Sequence, residues 1–355
     1  MNICVRPKDQ KRGTAGFKAP SDVCQICGSM GMEMFDLPIL PQNLTGVKIK
    51  LWLLLVLPYY WEKLYRKAKR DDILVLEYPS SGIRVAYYFI RKIKRRKGSR
   101  FIAVVHDLDS LRKGLTGEDA SRYDIGDRKL LKEMDKVISH NQHMTEYLVS
   151  LGLPRENLIN LEVFDYLCAG DLQTDRDMDY PSVTVAGYLS PEKSNYVYQL
   201  SGLKQDTYRI HLYGMAYSGP QDDEHVIYHG AYPPEELPSV LTGSFGLVWD
   251  GDSIDTCSGN TGVYLRHNNP HKTSLYLASG IPVIIWEEAA IADFVLREGV
   301  GITVRSLIEI EEKLSALSRD DYEIMHRNAI RISARLREGY YTKHALSEAL
   351  KGMGK

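Results

Sequence analysis

Cysteine is scarce in this sequence: five residues, Cys4, Cys24, Cys27, Cys168 and Cys257, in 355. An odd number at scattered positions excludes the disulfide framework of a small secreted domain. Cys24 and Cys27 form one C-x-x-C, but no second Cys/His pair stands at zinc-finger spacing. Structural thiols are therefore expected, with a redox or metal role as the alternative. Long apolar runs are also missing. The longest, Leu51–Leu57, has seven residues and ends at Pro58, against about twenty for a membrane span. Met1–Asp9 carries Arg6, Pro7, Lys8 and Asp9 where a signal peptide needs an apolar core. Net charge is only −1, which excludes a basic nucleic-acid coat and an acidic disordered chain. There are no internal repeats and no low-complexity tract. These absences predict a cytoplasmic protein that lies at most on the inner face of the membrane.

The length fits two lobes of roughly 150–180 residues. The balanced charge conceals an asymmetry. Residues 1–150 hold 27 Lys+Arg against 17 Asp+Glu, +10, and the remainder holds 18 against 29, −11. Something anionic is expected to meet the N-terminal half. Tyrosine is abundant, at 23, which suits sugar-stacking surfaces or a half-polar core equally.

Short β-branched runs alternate with amphipathic stretches. Strands are expected at Asn2–Val5, Ile73–Glu77, Phe101–His106, Lys136–Ser139 and Leu158–Val163. In the second half they are expected at Val183–Ala186, Arg209–Tyr213, Val226–Tyr228, Phe245–Trp249, Pro282–Ile285 and Gly301–Val304. Helical patterns such as Lys48–Lys69, Gly82–Lys97 and Lys272–Ser279 lie between them. Such alternation means parallel sheets covered on both faces, an α/β architecture. The polar, acidic stretch Ala169–Pro181 has no periodicity and is the expected break. It gives one domain over 1–170, a second over 178–335, and a last helical segment, 336–355, that packs back on the first. In doubly wound sheets ligands bind at the carboxyl ends of the strands.

Several places there suit chemistry. Asn268–Ser274 reads as a loop with Pro270 opening a helix. Free amides of Lys272, Thr273 and Ser274, the helix dipole and the Lys272 charge together would bind a diphosphate; an ordinary capped helix with a solvated lysine is the alternative. Lys193 stands in the first turn after Gly187, where a cation opposes the dipole and an anionic partner would relieve it. His106–Asp107–Leu108–Asp109 and Asp250–Gly251–Asp252 both follow strands and read D-x-D. Such pairs can hold a divalent metal, supply a general base, or merely cap a helix and close a turn. Finally, Arg84–Arg100 contains Arg91, Lys92, Lys94, Arg95 and Arg96 and no acid. With the apolar Leu51–Leu57 and Tyr59, Tyr60 and Trp61 upstream, it suits an anionic membrane surface. A solvated helix face is the alternative, and the acidic C-terminal half disfavours nucleic acid.

At these residues the sequence resembles a known family. GLVWDGDSIDTCSG (Gly246–Gly259) and NNPHKTSLYLASGIPVIIW (Asn268–Trp286) are similar to the bacterial β-1,6-galactofuranosyltransferases of cell-surface polysaccharide assembly. GFKA (Gly16–Ala19), HDLDSLR (His106–Arg112), VISHNQHMTEYL (Val137–Leu148) and VFDYL (Val163–Leu167) resemble the same family in the same order, over nearly the whole chain. A more distant similarity joins it to glucosyltransferases that modify serine-rich bacterial adhesins.

The resemblance implies a GT-B fold, two Rossmann-like domains facing across a cleft, with nucleotide on the second and acceptor on the first. It implies Lys193 and Lys272 as diphosphate ligands, Tyr232 beside the nucleotide, and Thr14 facing the donor. Asp250 and Asp252 are assigned to donor-sugar hydroxyls. A β-furanoside from an α-linked UDP donor requires inversion, so one carboxylate must take the acceptor proton. Asp107 is the first choice, with His106 orienting or replacing it. No metal is expected and no cofactor beyond the UDP-sugar substrate, because two lysines and a helix start would stabilise the leaving UDP. The expected partners are UDP-galactofuranose, a glycan or lipid-linked glycan acceptor and an anionic membrane. A pyranose donor such as UDP-glucose, a metal-dependent GT-A transferase and a non-catalytic binding module are the rivals. The oligomeric state is not legible, and a homo-oligomer stays open.

Overall fold

A computed structural model describes residues 2–8, 15–41, 43–114, 124–172, 181–203, 206–220 and 223–354. The chain divides into two compact units. The first comprises Met1–Arg12, Pro20–Leu161 and Thr342–Lys355, and the second Gly13–Ala19 and Glu162–Tyr341. The first unit's main segment thus ends at Leu161, short of the 1–170 expected, and Glu162–Leu172 belongs with the second unit.

The first unit is built on β1 (Asn2–Lys8), β2 (Glu33–Pro38), β3 (Ile73–Tyr78), β4 (Arg100–Val105), β5 (Lys136–Ser139) and β6 (Leu158–Asn160). They form one parallel sheet in the order β2-β1-β3-β4-β5-β6. The chain moves outward from β1 to β2, then crosses back to β3, so the topology switches between β1 and β3. Central β3 is buried on both faces, as its near-continuous apolar run requires. β2 (EMFDLP) carries two acids and a terminal proline, which an edge strand tolerates; these features hide it from a hydrophobic pattern search.

The unit's helices are α1 (Ala15–Ser29), α2 (Val47–Leu51), α3 (Leu57–Lys67), α4 (Ile83–Lys97), α5 (Asp109–Arg112) and α6 (Gln142–Ser150). α1 begins in the second unit and enters the first at Pro20. A π-helical segment, Trp52–Val56, joins α2 to α3. α4 shows the logic of the layer: Ala86, Phe89, Ile90 and Ile93 are buried on one stripe. It stops at Gly98, whose φ of 67° closes the helix in the left-handed region.

The second unit contains β7 (Ser182–Tyr188), β8 (Arg209–Met215), β9 (Val226–Tyr228), β10 (Phe245–Val248), β11 (Val283–Trp286) and β12 (Gly301–Val304). This parallel sheet has the order β12-β11-β10-β7-β8-β9. From β7 the chain winds to β8 and β9, then returns to β10 on the other side. The switch point therefore lies between β7 and β10, and their carboxyl ends frame the place where such sheets take ligands. Its helices are α7 (Pro191–Ser194), α8 (Leu237–Val240), α9 (Gly259–Tyr264), α10 (His271–Ala278), α11 (Ala292–Glu298), α12 (Ile310–Ala316) and α13 (Arg319–Arg337). α14 (Tyr340–Lys351) starts in this unit, and from Thr342 the chain belongs to the first.

Candidate functional site

The second unit's site is built around α10. A Cβ at Gly246 would lie 2.1 Å from the Tyr276 ring, so only glycine on β10 lets that ring pack flat on the sheet. The Tyr276 hydroxyl in turn accepts the Ala186 amide at 2.7 Å, which fixes α10 against the end of β7. Asn269 reinforces the approach to the helix, donating to the Glu162 carbonyl at 3.1 Å. Pro270 is the N-cap rather than a first-turn residue. The Thr273 amide is not free as expected, because it donates to the Pro270 carbonyl at 2.9 Å. Thr273 and Ser274 are fully buried.

Lys272 is the candidate functional side chain of this helix start. Its Nζ donates to the Trp249 carbonyl at 2.7 Å and to Asp250 Oδ1 at 2.8 Å. Both side chains are 17% exposed. Burial opposes the ammonium charge, but the Asp250 carboxylate more than offsets it, and the Lys272 pKa stands above the ordinary lysine value. Asp250 therefore holds the lysine charged, a role the sequence reading did not give it.

The loop after β10 is wound tightly enough to need its glycines. Gly251 has φ 114°, and a Cβ there would lie 2.3 Å from the Ser258 carbonyl oxygen. A Cβ at Gly262 would lie 2.8 Å from the Asp250 carbonyl oxygen. Buried Trp249 locks the turn by donating from Nε1 to the Ser253 carbonyl at 2.9 Å. Asp252 is exposed, and its carbonyl accepts Gln199 Nε2 at 2.7 Å and Asn195 Nδ2 at 3.2 Å. Those two residues continue directly from α7, so the segment that carries Lys193 is tied to the loop that carries Asp250. Lys193 itself is exposed in α7, just beyond the end of β7. There Gly187 faces Gly214 in register, and a Cβ on Gly214 would lie 1.7 Å from the Gly187 oxygen. The end of β8 continues the site with aromatic rings. Tyr213 stacks on His229 at 4.6 Å and lies 6.1 Å from Tyr232. His211 Nδ1 and His229 Nε2 are 2.8 Å apart. Burial, aided by His229, pushes His211 down to about 4, so this imidazole is neutral at pH 7. The ring stack was not legible in the sequence.

In the first unit, His106 and Asp107 follow β4. His106 Nε2 is paired with buried Glu77 Oε2 of β3, a residue the sequence reading missed. Asp107 accepts from Arg112 at 3.0 Å. Asp109 lies in the first turn of α5, where Leu108 is the cap. Thr14 lies outside the described residues. Of the basic residues on α4, Lys92 pairs with Glu62 at 2.7 Å, Lys94 with Asp135 at 2.9 Å and Arg91 with Glu133 at 3.3 Å. Only Arg95 and Arg96 of the five are exposed. Apolar exposure is concentrated on the elements before α4. Val47, Leu51, Leu54, Leu55 and Tyr59 stand 50–70% exposed along α2, the π segment and α3. No described helix is long and apolar enough to cross a membrane.

Comparison with known proteins agrees with this architecture. Residues 2–163 match the family model described as the glucosyltransferase 3-like N-terminal domain, and residues 183–349 match the C-terminal domain of the same family. The chain is 31% identical over 350 residues to the β-1,6-galactofuranosyltransferase WbbI of Escherichia coli, covering 96% of this chain and 95% of that one. Among solved structures, Anabaena HepE in complex with UDP superposes with a TM-score of 0.63 at 12% identity, covering 99% of this chain and all of the other. The lipopolysaccharide outer core galactosyltransferase WaaB gives 0.62 at 12% identity, with 99% of this chain and all of the other covered. These structural likenesses, with the two parallel sheets, identify the fold as GT-B. Matched in both halves by one family's models and along nearly its full length by a galactofuranosyltransferase, the chain belongs to the family of bacterial β-1,6-galactofuranosyltransferases and glucosyltransferase 3-like enzymes, and it is a glycosyltransferase.

Proposed function

We propose that this glycosyltransferase moves galactofuranose from UDP-galactofuranose to a hydroxyl of a lipid-linked glycan, forming a β-1,6 linkage with inversion. The observation that carries the donor assignment is the charged, largely buried Lys272 held by Asp250 beside the carboxyl end of β10. A cation fixed at the topological switch suits a diphosphate, and Lys193 follows the neighbouring strand β7. The ring of Tyr232 and the neutral Tyr213–His229 stack offer an apolar flank for a uracil or ribose. UDP is the ligand named for the HepE structure, and galactofuranose is the sugar named for the Escherichia coli relative.

In the proposed reaction the acceptor oxygen attacks the anomeric carbon while the bond from that carbon to the diphosphate oxygen breaks. The acceptor proton passes to the Asp107 carboxylate, or to His106. UDP leaves with its added negative charge opposed by Lys272 and Lys193. Asp252 is assigned to the donor-sugar hydroxyls and Asp250 to holding Lys272. Because two ammonium groups supply the positive charge, the transfer is proposed to run without a divalent ion.

The acceptor's lipid anchor brings the enzyme to a membrane, and the surface proposed to meet it is the α2–α3 stripe. Its exposed apolar residues alternate with Lys48, Lys50 and Lys63, the composition of an interfacial helix on anionic lipid. The reading is tested by offering UDP-galactofuranose, UDP-galactopyranose and UDP-glucose to the purified enzyme and measuring UDP release and product. Turnover confined to the furanose supports it. Preference for UDP-glucose favours the second reading, a glucosyltransferase, which the glucosyltransferase 3-like family models support. A strict Mn²⁺ requirement would overturn the metal-free scheme.

A further inference from the structure

The C-x-x-C of α1 plays no part in glycosyl transfer as proposed, yet the fold of the first unit brings it to further ligands. Cys4 on β1, Cys24 on α1 and Glu77 on β3 are all buried, and one ligand atom from each lies within 4.8 Å of the others. The Cys4 and Cys24 sulfurs are 3.9 Å apart. Cys24 Sγ is 3.6 Å from Glu77 Oε1. These spacings have a specific meaning. A tetrahedral zinc ion with bonds of about 2.3 Å to sulfur and about 2.0 Å to oxygen has sulfur–sulfur edges of about 3.8 Å and sulfur–oxygen edges of about 3.5 Å. Two edges of that tetrahedron are thus already in place.

We propose that Cys4, Cys24 and Glu77 form a structural site for a thiophilic divalent cation, zinc by preference, that staples β1, α1 and β3 together. The surroundings complete the argument. Cys27 lies three residues along α1 from Cys24, hence on the same face. It is fully buried and adds a third thiol to the apolar surroundings of the site. The second Glu77 oxygen is held by His106, the outer-shell contact that orients a ligating carboxylate. Two soft sulfurs select zinc over magnesium or calcium. In the metal-free form a chain of donors runs from Cys4 to Cys24 to Glu77. On binding, the Cys4 and Cys24 thiols lose their protons to solvent, two metal–sulfur bonds and one metal–oxygen bond to Glu77 form in place of water ligands of the ion, and no redox change occurs. The ion is distinct from the donor site in the second unit and takes no part in the transfer step.

The test uses the full chain and does not read activity. Zinc is measured by elemental analysis after purification without added metal. The protein is then loaded with Co²⁺ in place of zinc, and the sulfur-to-cobalt charge-transfer band is recorded. About one metal per chain and a thiolate band are expected. Cys4→Ser and Cys24→Ser are expected to lower metal affinity by roughly tenfold or more, as is Glu77→Gln. Cys168→Ser, which alters a half-buried cysteine of the second unit, is expected to change nothing. Wild-type protein with neither zinc nor a cobalt–thiolate band overturns the proposal, and this result needs no variant to fold. Equal metal content in Cys4→Ser and Cys168→Ser overturns it too. So does a Cys4–Cys24 disulfide found in the protein under reducing cytoplasmic expression.

Discussion

Lys272 and Asp250 are 22 residues apart in sequence and form an ion pair at 2.8 Å, with the Trp249 carbonyl completing the lysine's shell at 2.7 Å. The pair joins the start of α10 to the end of β10, the two elements proposed to meet a donor diphosphate. Removing only the cation strands a carboxylate that is largely buried. Lys272→Met should therefore cost about 2–4 kcal/mol of stability and lower UDP affinity by about 1.5–3 kcal/mol. Asp250→Asn combined with Lys272→Met should recover most of the stability and none of the affinity. Urea unfolding and UDP titration separate the two. Wild-type UDP affinity in the double variant would remove Lys272 from the diphosphate site.

Much of the fold was legible because periodicity and strand composition act locally. The strands at Lys136–Ser139, Val226–Tyr228 and Gly301–Val304 have the bounds expected. β2 was missed because an edge strand needs no continuous apolar run. The site was legible only where one segment carries it. A proline, a lysine and an apolar helix mark the α10 start, but nothing local pairs Lys272 with Asp250 or His106 with Glu77, 29 residues away. The basic stretch on α4 shows the same limit in reverse. It contains no acid, yet Glu62, Glu133 and Asp135 arrive from other elements to pair with Lys92, Arg91 and Lys94. A run of like charge reveals nothing about distant acids, so of the apolar, aromatic and basic blocks read together as a membrane surface, the proposal here rests on the α2–α3 part.

That emphasis makes a prediction. Leu54 and Leu55 are 70% and 65% exposed, and burying each in a bilayer interface contributes about 1.5–3 kcal/mol. Leu54→Ser with Leu55→Ser should reduce binding to anionic phospholipid vesicles by roughly thirtyfold or more. Arg95→Gln with Arg96→Gln should reduce it less, by an amount that shrinks as salt rises. Vesicle co-sedimentation at two salt concentrations checks both. An unchanged double-serine variant would count against the stripe.

Asp107 follows β4 and is held by Arg112, which fixes its carboxylate without shielding it fully, since the side chain remains 29% exposed. As the proposed general base it would contribute about 10²- to 10⁴-fold to turnover. Asp107→Asn should lower kcat by that range and leave UDP affinity unchanged, because the amide keeps the size but cannot take the proton. Steady-state kinetics with UDP titration reads both. Unaltered turnover would pass the role to His106, for which His106→Gln is the matching test.

Acid stability reports on a buried imidazole in the same unit. His140 follows β5, is almost fully buried, and its Nε2 lies 3.0 Å from the Val105 carbonyl. Burial first, and the neighbouring His106 second, push its pKa down to about 3. The unfolded chain's imidazole titrates near 6.5. Between those values the unfolded state binds a proton that the folded state refuses, so stability falls as pH falls from about 6.5, by up to about 1.4 kcal/mol per pH unit. The loss is complete below pH 3. Glutamine at this position can still donate to Val105 and does not titrate. His140→Gln should therefore lose about 2 kcal/mol less stability than wild type between pH 7 and pH 5, read from urea unfolding at both. Parallel pH dependence in the two proteins would show that this imidazole is protonated inside the fold despite its burial.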